Sequence, residues 1–118
     1  MDFIADFGFN VKQGKGREFQ QWLSANESKF AAACPNGVEY IGTYGVIYSS
    51  EKHAGGYRQF FRFDSYGAQD ALAAAMKEDE AFAALMDQWG EFIDVERGAE
   101  WSNGLYKAVA DLSMWSHA

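Results

Sequence analysis

The chain predicts an α+β fold of order β-α-β-β-α-β, with four antiparallel strands in one sheet ordered 4-1-3-2 and the helices on one face. Three observations carry this prediction. Four short stretches alternate apolar and other residues with period two, and the long stretches between them carry apolar residues at helical spacing. Clusters of turn-forming residues fall between these stretches. Right-handed crossovers and the pairing of sequential strands then select the strand order, the second helical region being split in two. The 118 residues suffice for one domain, expected over residues 1–109 with a C-terminal tail at 110–118. A chain of this size buries roughly two-thirds of the surface its unfolded form exposes, so it needs neither disulfides nor a structural metal to fold.

Phe3, Ala5, Phe7, Phe9 and Val11 alternate with Ile4, Asp6, Gly8 and Asn10, which predicts a first strand over 3–12 with one strongly apolar face. Phe19, Trp22, Leu23 and Phe30 share a helical face with Asn26 at its border, giving a helix over 15–33. That helix ends at Cys34-Pro35-Asn36-Gly37, where the proline removes a donor and Gly37 offers a positive φ. Val38 to Ser50 is rich in tyrosine and β-branched residues, a second strand with Tyr40, Tyr44 and Tyr48 on one face and Ile41, Thr43 and Ile47 on the other. The polar, glycine-rich stretch 51–56 makes a hairpin between it and a third, aromatic strand, Tyr57 to Asp64.

Asp64 or Ser65 is then placed to cap a helix continued by Ala68, Leu72, Ala75 and Met76. Phe82, Leu85, Met86, Trp89, Phe92 and Ile93 make the clearest amphipathic run, which Arg97-Gly98 can close. A fourth strand alternates within Glu100 to Val109 around Trp101, Leu105 and Tyr106.

Ten Lys and Arg against seventeen Asp and Glu give a formal charge of −7. Nucleic-acid phosphates would be repelled by such a surface. The third strand does carry aromatics and arginines, as an RNA-recognition strand would, but without glycine-spaced stacking positions. Eight acids against Lys77 and Arg97 lie between Asp70 and Arg97, so the outer helical face is acidic. The lone Cys34 excludes a disulfide framework or thiolate metal cluster and suits a reducing compartment. Met1 to Val11 lacks a basic start and is interrupted by Asp2, Asp6 and Asn10, so neither a signal peptide nor a membrane span is expected, and a cytoplasmic location is.

Helices on one side leave the sheet's second face uncovered. Ile4, Ile41 or Tyr44, Ile47 or Tyr48, and Phe60 contribute to it in either register, and a second copy of the same sheet would cover it. A homodimer is therefore expected.

The strand beginning Phe3-Ile4-Ala5-Asp6, the strand end Arg62-Phe63-Asp64-Ser65, the short helix after it, the acidic break Lys77-Glu78-Asp79-Glu80 and the following Ala81-Phe82 resemble the dimeric α+β barrel proteins, whose subunits are ferredoxin-like. The likeness spans about residues 3–109 and is nearest to the antibiotic-biosynthesis monooxygenase type. It implies a small, largely apolar aromatic ligand and, for an enzyme, cofactor-independent oxygenation or isomerisation of a phenol-like substrate. Haem-degrading relatives place a ligating histidine where this chain has Phe82-Ala83-Ala84-Leu85-Met86-Asp87, so no haem and no other cofactor or metal is expected. The rival reading is a non-catalytic binding or interaction module with a filled barrel.

Polar side chains in apolar strands are the candidates for chemistry. Asp6 and Asn10 share a face of the first strand and Arg58 and Arg62 one of the third, so Asp6 is expected to pair with Arg62 or Arg58. A desolvated arginine can hold an oxyanion, and a buried carboxylate can accept a proton. The structural alternative is an interface ion pair. The catalytic set expected on this reasoning is Arg62 and Tyr44 at the developing oxyanion, with Asp6 or His53 moving the proton. Asn10, Tyr40, Tyr48, Arg58, Phe60, Trp89 and Trp115 are the expected ligand contacts, although tyrosines and tryptophans in these positions serve equally as packing. A register slip of one residue would exchange Arg58 and Arg62 for Gln59 and Phe61 on the cavity side.

Overall fold

The computed structural model describes residues 3–49, 56–94 and 103–109, and these form seven elements. They are β1 (Phe3–Phe9), α1 (Gly16–Ala33), β2 (Val38–Gly45), β3 (Tyr57–Phe63), α2 (Ala68–Glu78), α3 (Glu80–Phe92) and β4 (Asn103–Lys107). The four strands make one antiparallel sheet ordered β2-β3-β1-β4, the expected arrangement. Its register fixes the two faces, because residues opposite one another across a ladder point the same way. Ala5 faces Phe61 on one side and Leu105 on the other, and this face carries the helices. Asp6, opposite Phe60 and Gly104, belongs to the other face.

The core lies between the sheet and the helices. Phe30 of α1, Leu72 of α2, and Phe82 and Leu85 of α3 pack with Ala5, Tyr40, Phe61 and Phe63. A second cluster joins Phe9, Val11, Phe19 and Ile93. Phe19, Phe30, Phe61, Phe63 and Phe82 are fully buried, each contributing about 2 kcal/mol of apolar transfer.

Several boundaries differ from the sequence expectation. β1 ends at Phe9 rather than residue 12, because residues 10–12 are taken up by the chain leaving α3: Lys12 N–H donates to the Phe92 carbonyl at 2.7 Å and Asp94 N–H to the Asn10 carbonyl at 2.9 Å. Ile93 is accordingly extended, bridging Val11, and is not part of the helix. β2 stops at Gly45 instead of Ser50, with Val46 N–H donating to the Gly56 carbonyl as the last rung. β4 ends at Lys107 instead of Val109, and residues 100–102 lie outside the described residues. Neither Asp64 nor Ser65 caps α2 through its side chain; the N-cap position is Gly67. Asp64 instead sits over the turn at Gly37, where φ is +86° and an added Cβ would meet the Asp64 carboxylate at 2.6 Å. The closing residues Arg97-Gly98, Trp101 and the tail 110–118 lie outside the described residues.

The most consequential difference is in β2. A bulge between Tyr40 and Gly42 inserts Ile41 as an extra residue, so Tyr40 lies opposite Phe61 on the helix face while Tyr44 lies opposite Arg58 on the other. The single tyrosine stripe Tyr40-Tyr44-Tyr48 is thereby broken. Thr43, opposite Gln59, is carried to the helix face.

Candidate functional site

A cleft of about 340 Å³ opens between the helix face of the sheet and the pair α2 and α3. β1 and β3 supply its floor with Phe7, Phe61 and Phe63; Leu72, Ala73 and Met76 of α2 and Met86 and Trp89 of α3 supply its walls. Each is there for a reason of period: alternate strand residues reach the same face, and Leu72 and Met76, four apart, share one side of α2. The polar lining is three amides, Gln59, Gln69 and Asn103. Gln69 donates to the Tyr66 carbonyl at 3.3 Å, and Asn103 is exposed at the start of β4. Gln59 is only 6% exposed, and its Nε2 has no hydrogen-bond partner. Thr43, its cross-strand neighbour, has its hydroxyl engaged with the Tyr40 hydroxyl at 2.6 Å.

Gln59 was not among the expected site residues, although its signal is in the sequence. In Tyr57-Arg58-Gln59-Phe60-Phe61-Arg62-Phe63 it alternates with Tyr57, Phe61 and Phe63, a lone amide on an otherwise aromatic face. The register brings that face, and not the one holding Arg58 and Arg62, to the helices.

The opposite face collects three of the expected catalytic residues, Asp6, Arg62 and Tyr44, with two of the expected ligand contacts, Arg58 and Phe60. Arg58 Nη1 donates to Asp6 Oδ2, so the pairing is with Arg58 and not Arg62. Asp6 is 3% exposed, and its Oδ1 has no hydrogen-bond partner. Gly104, directly opposite on β4, lets the carboxylate approach; a Cβ there would meet Asp6 Oδ1 at 2.4 Å and the Tyr106 hydroxyl at 2.2 Å. Arg62 Nε donates instead to Glu39 Oε2 at 3.1 Å, across the β2–β3 ladder. Tyr44 is half-exposed and meets the Phe60 ring edge-on at 5.5 Å. Ile4, Ile41, Tyr44 and Phe60 together line a shallow apolar depression.

The remaining expected residues are dispersed. Tyr40 faces the helices, its hydroxyl donating to Glu27 Oε2 at 2.8 Å, and burial raises its pKa well above the ordinary tyrosine value. Asn10 Oδ1 accepts from Gly56 N–H at 2.8 Å, tying the hairpin to the end of β1. Tyr48 is exposed beyond β2. Trp89 lines the cleft and meets the Phe9 ring edge-on at 5.0 Å. His53 and Trp115 lie outside the described residues. Cys34 is half-buried, its thiol donating to the Phe30 carbonyl at 3.3 Å, and burial pushes its pKa up, as expected of a small apolar residue and not of a nucleophile. No helix among the described residues is long and apolar enough to cross a membrane.

Comparison with solved structures finds this same class of fold, a ferredoxin-like α+β sheet with its helices on one side. A NIPSNAP family protein from Agrobacterium tumefaciens superposes with a TM-score of 0.68 at 12% identity, over 94% of this chain and 95% of that one. A DABB family protein with a ferredoxin-like fold from Mesorhizobium loti gives 0.58 at 13% identity, covering 92% and 98%. A protein proposed to be an antibiotic biosynthesis monooxygenase, from Nitrosomonas europaea, gives 0.59 at 14% identity, covering 93% and 92%. At such identities the likeness is one of fold, and it agrees with the resemblance noted in the sequence. No protein-family model matches the chain, and no curated protein matches it.

Proposed function

We propose that this protein binds a small, largely apolar aromatic molecule in the cleft between β1, β3 and the helices α2 and α3. The observation that carries the reading is the cleft itself. Its volume is at the small end of the ~300–1,000 Å³ typical of ligand sites, and apolar walls with a few placed polar groups are what such sites need. Two methionines among the lining residues adapt to a guest's outline, while Phe61 and Phe63 offer flat aromatic surface. Ala73 lies at the exposed side of the cleft, so Ala73→Phe should block entry while leaving the core untouched. The test is a calorimetric titration with a two-ring aromatic probe: wild type should bind and Ala73→Phe should not. Equal heats from both proteins would place the bound probe elsewhere and sink the reading.

The second part of the proposal is a homodimer in which each sheet covers the other's open face. Ile4, Ile41 and Phe60 with the half-exposed Tyr44 and Tyr106 form a continuous apolar surface of the kind that a two-fold partner buries. Phe60→Lys should convert the dimer to monomer in sedimentation velocity; an unchanged sedimentation coefficient would refute the assignment of this face.

A catalytic reading belongs to that same face. Asp6 Oδ1, buried and without a partner, is the observation that favours a proton-accepting role there, with Arg62, Tyr44 and His53 as the expected companions. Folded and dimeric Asp6→Ala and Arg62→Ala variants that turn over an identified substrate at the wild-type rate would exclude it.

A further inference from the structure

We infer that Gly42 decides whether this chain can pair with a second copy of itself, because it lets the Tyr44 ring lie down on the open sheet face and so levels that face for a facing sheet. The inference rests on the homodimer reading and goes on to name what sets it. Gly42 and Tyr44 both belong to the open face of edge strand β2, opposite Phe60 and Arg58. A Cβ on Gly42 would lie 3.2 Å from the Tyr44 hydroxyl oxygen and 3.3 Å from its Cζ, so the ring occupies the place of the missing side chain. Gly42 is buried in consequence, although it sits on an edge strand away from the helices. Its φ is not positive, so the backbone does not call for glycine there; the room above it does. The other edge strand repeats the arrangement. On β4 the Tyr106 ring lies back over Gly104, its Cζ 2.6 Å from where a Cβ would stand.

Two facing sheets lie about 10 Å apart, and side chains from both share that space. An upright tyrosine would take up most of it, whereas a ring laid over a glycine takes about 3.5–4 Å, one van der Waals contact. Charge points to the same occupant. Asp6 with Arg58 and Glu39 with Arg62 are paired within the open face, so a copy of that face meets no excess of one sign. On the helical side Asp70, Glu78, Glu80, Asp87 and Glu91 stand exposed against Lys77, and a second copy arriving there would set acid against acid. The apolar surface also runs on past Tyr44 to Ile47 and Tyr48, which are 99% and 87% exposed in the single chain.

The test is sedimentation equilibrium of wild type, Gly42→Ala, Gly42→Val, Tyr44→Ser and the double variant Gly42→Val with Tyr44→Ser, with circular dichroism to verify folding. Alanine asks the ring to give way slightly and valine takes its place, so the dimer dissociation constant should rise in that order, by about tenfold or more for Gly42→Val because a two-fold interface carries each change twice. In the Tyr44→Ser background there is no ring to lift, and Gly42→Val should weaken the dimer no further. A distortion of the neighbouring bulge would instead weaken both backgrounds alike, and that result overturns the inference. If Gly42→Val does not fold, the same comparison made with Gly42→Ala decides. A wild-type dimer whose dissociation constant ignores the substitutions at Gly42 also overturns it, leaving the homodimer reading in place. A wild type that is monomeric at every concentration removes the homodimer reading and this inference together, and assigns the face to a different partner.

Discussion

Removing either member of the Asp6–Arg58 pair alone should destabilise the protein far more than removing both. The side chains are 4% and 13% exposed, so each charge has given up most of its hydration. In Asp6→Ala the guanidinium keeps that desolvation and loses the Asp6 carboxylate. Breaking a buried pair in this way costs about 3–5 kcal/mol, and because Arg58 retains some solvent contact the lower end, about 3 kcal/mol, applies. Arg58→Met strands a carboxylate whose Oδ1 already lacks a partner, for a similar cost. The double variant buries neither charge, and apolar replacement of a buried pair is often close to neutral, so its total should stay below about 2 kcal/mol. The coupling between the two sites is therefore at least about 4 kcal/mol. Urea unfolding at neutral pH measures it, with protein concentration varied because association adds its own stability. Single-variant losses that add to within about 0.5 kcal/mol of the double would refute the reasoning.

Two further predictions concern single groups. Asp79 Oδ1 accepts from Phe82 N–H at 3.0 Å at the start of α3, so Asp79→Ala should lower unfolding free energy by about 1 kcal/mol while Asp79→Asn keeps most of it; equal losses in urea titrations would show that the cap hydrogen bond is not the source. Burial raises the Tyr40 pKa above its ordinary value of 10.0, so the unfolded chain releases this proton first. Its contribution is then complete below about pH 10 and lost as the pH climbs further. Tyr40→Phe should accordingly show a smaller fall in urea midpoint between about pH 8 and about pH 11 than wild type, and an equal fall would rule out Tyr40 as the cause.

Element order, strand order and the boundaries of α1 were legible because they rest on periodicity and on strong punctuation. Pro35 and Gly37 end one element and start another whatever packs around them. What was not legible depends on tertiary pairing. The bulge at Ile41 leaves only Gly42 as a local mark, yet it moves Tyr40 and Tyr44 to opposite faces. Ile93 continues the apolar spacing of α3 perfectly well; only the bridge to Val11, formed by a segment far away in sequence, draws it out of the helix. The acidic residues told a similar story. Asp6 was found as a buried carboxylate, but its choice of Arg58 over Arg62 follows from the β1–β3 register, and Arg62 takes Glu39. Gln59 and Phe61 entered the sequence reading only as the alternative register, and it is that alternative which the β1–β3 pairing places on the helix face.

The break at Asp79 connects these levels. Its backbone leaves the helical region at ψ 116°, ending α2, while its side chain caps α3, so one residue both stops a helix and starts the next. Without that break the run from Ala68 to Phe92 would be a single rod, and a rod has one line of contact with a sheet. Divided, the two helices can bring Leu72 and Met76 to one side and Met86 and Trp89 to the other, with Phe61 and Phe63 between them. The acidic cluster that looks like a solvated interruption in the sequence is thus what leaves room for the cleft. The local energetics of a cap of about 1 kcal/mol and the shape available to a ligand are set at the same residue.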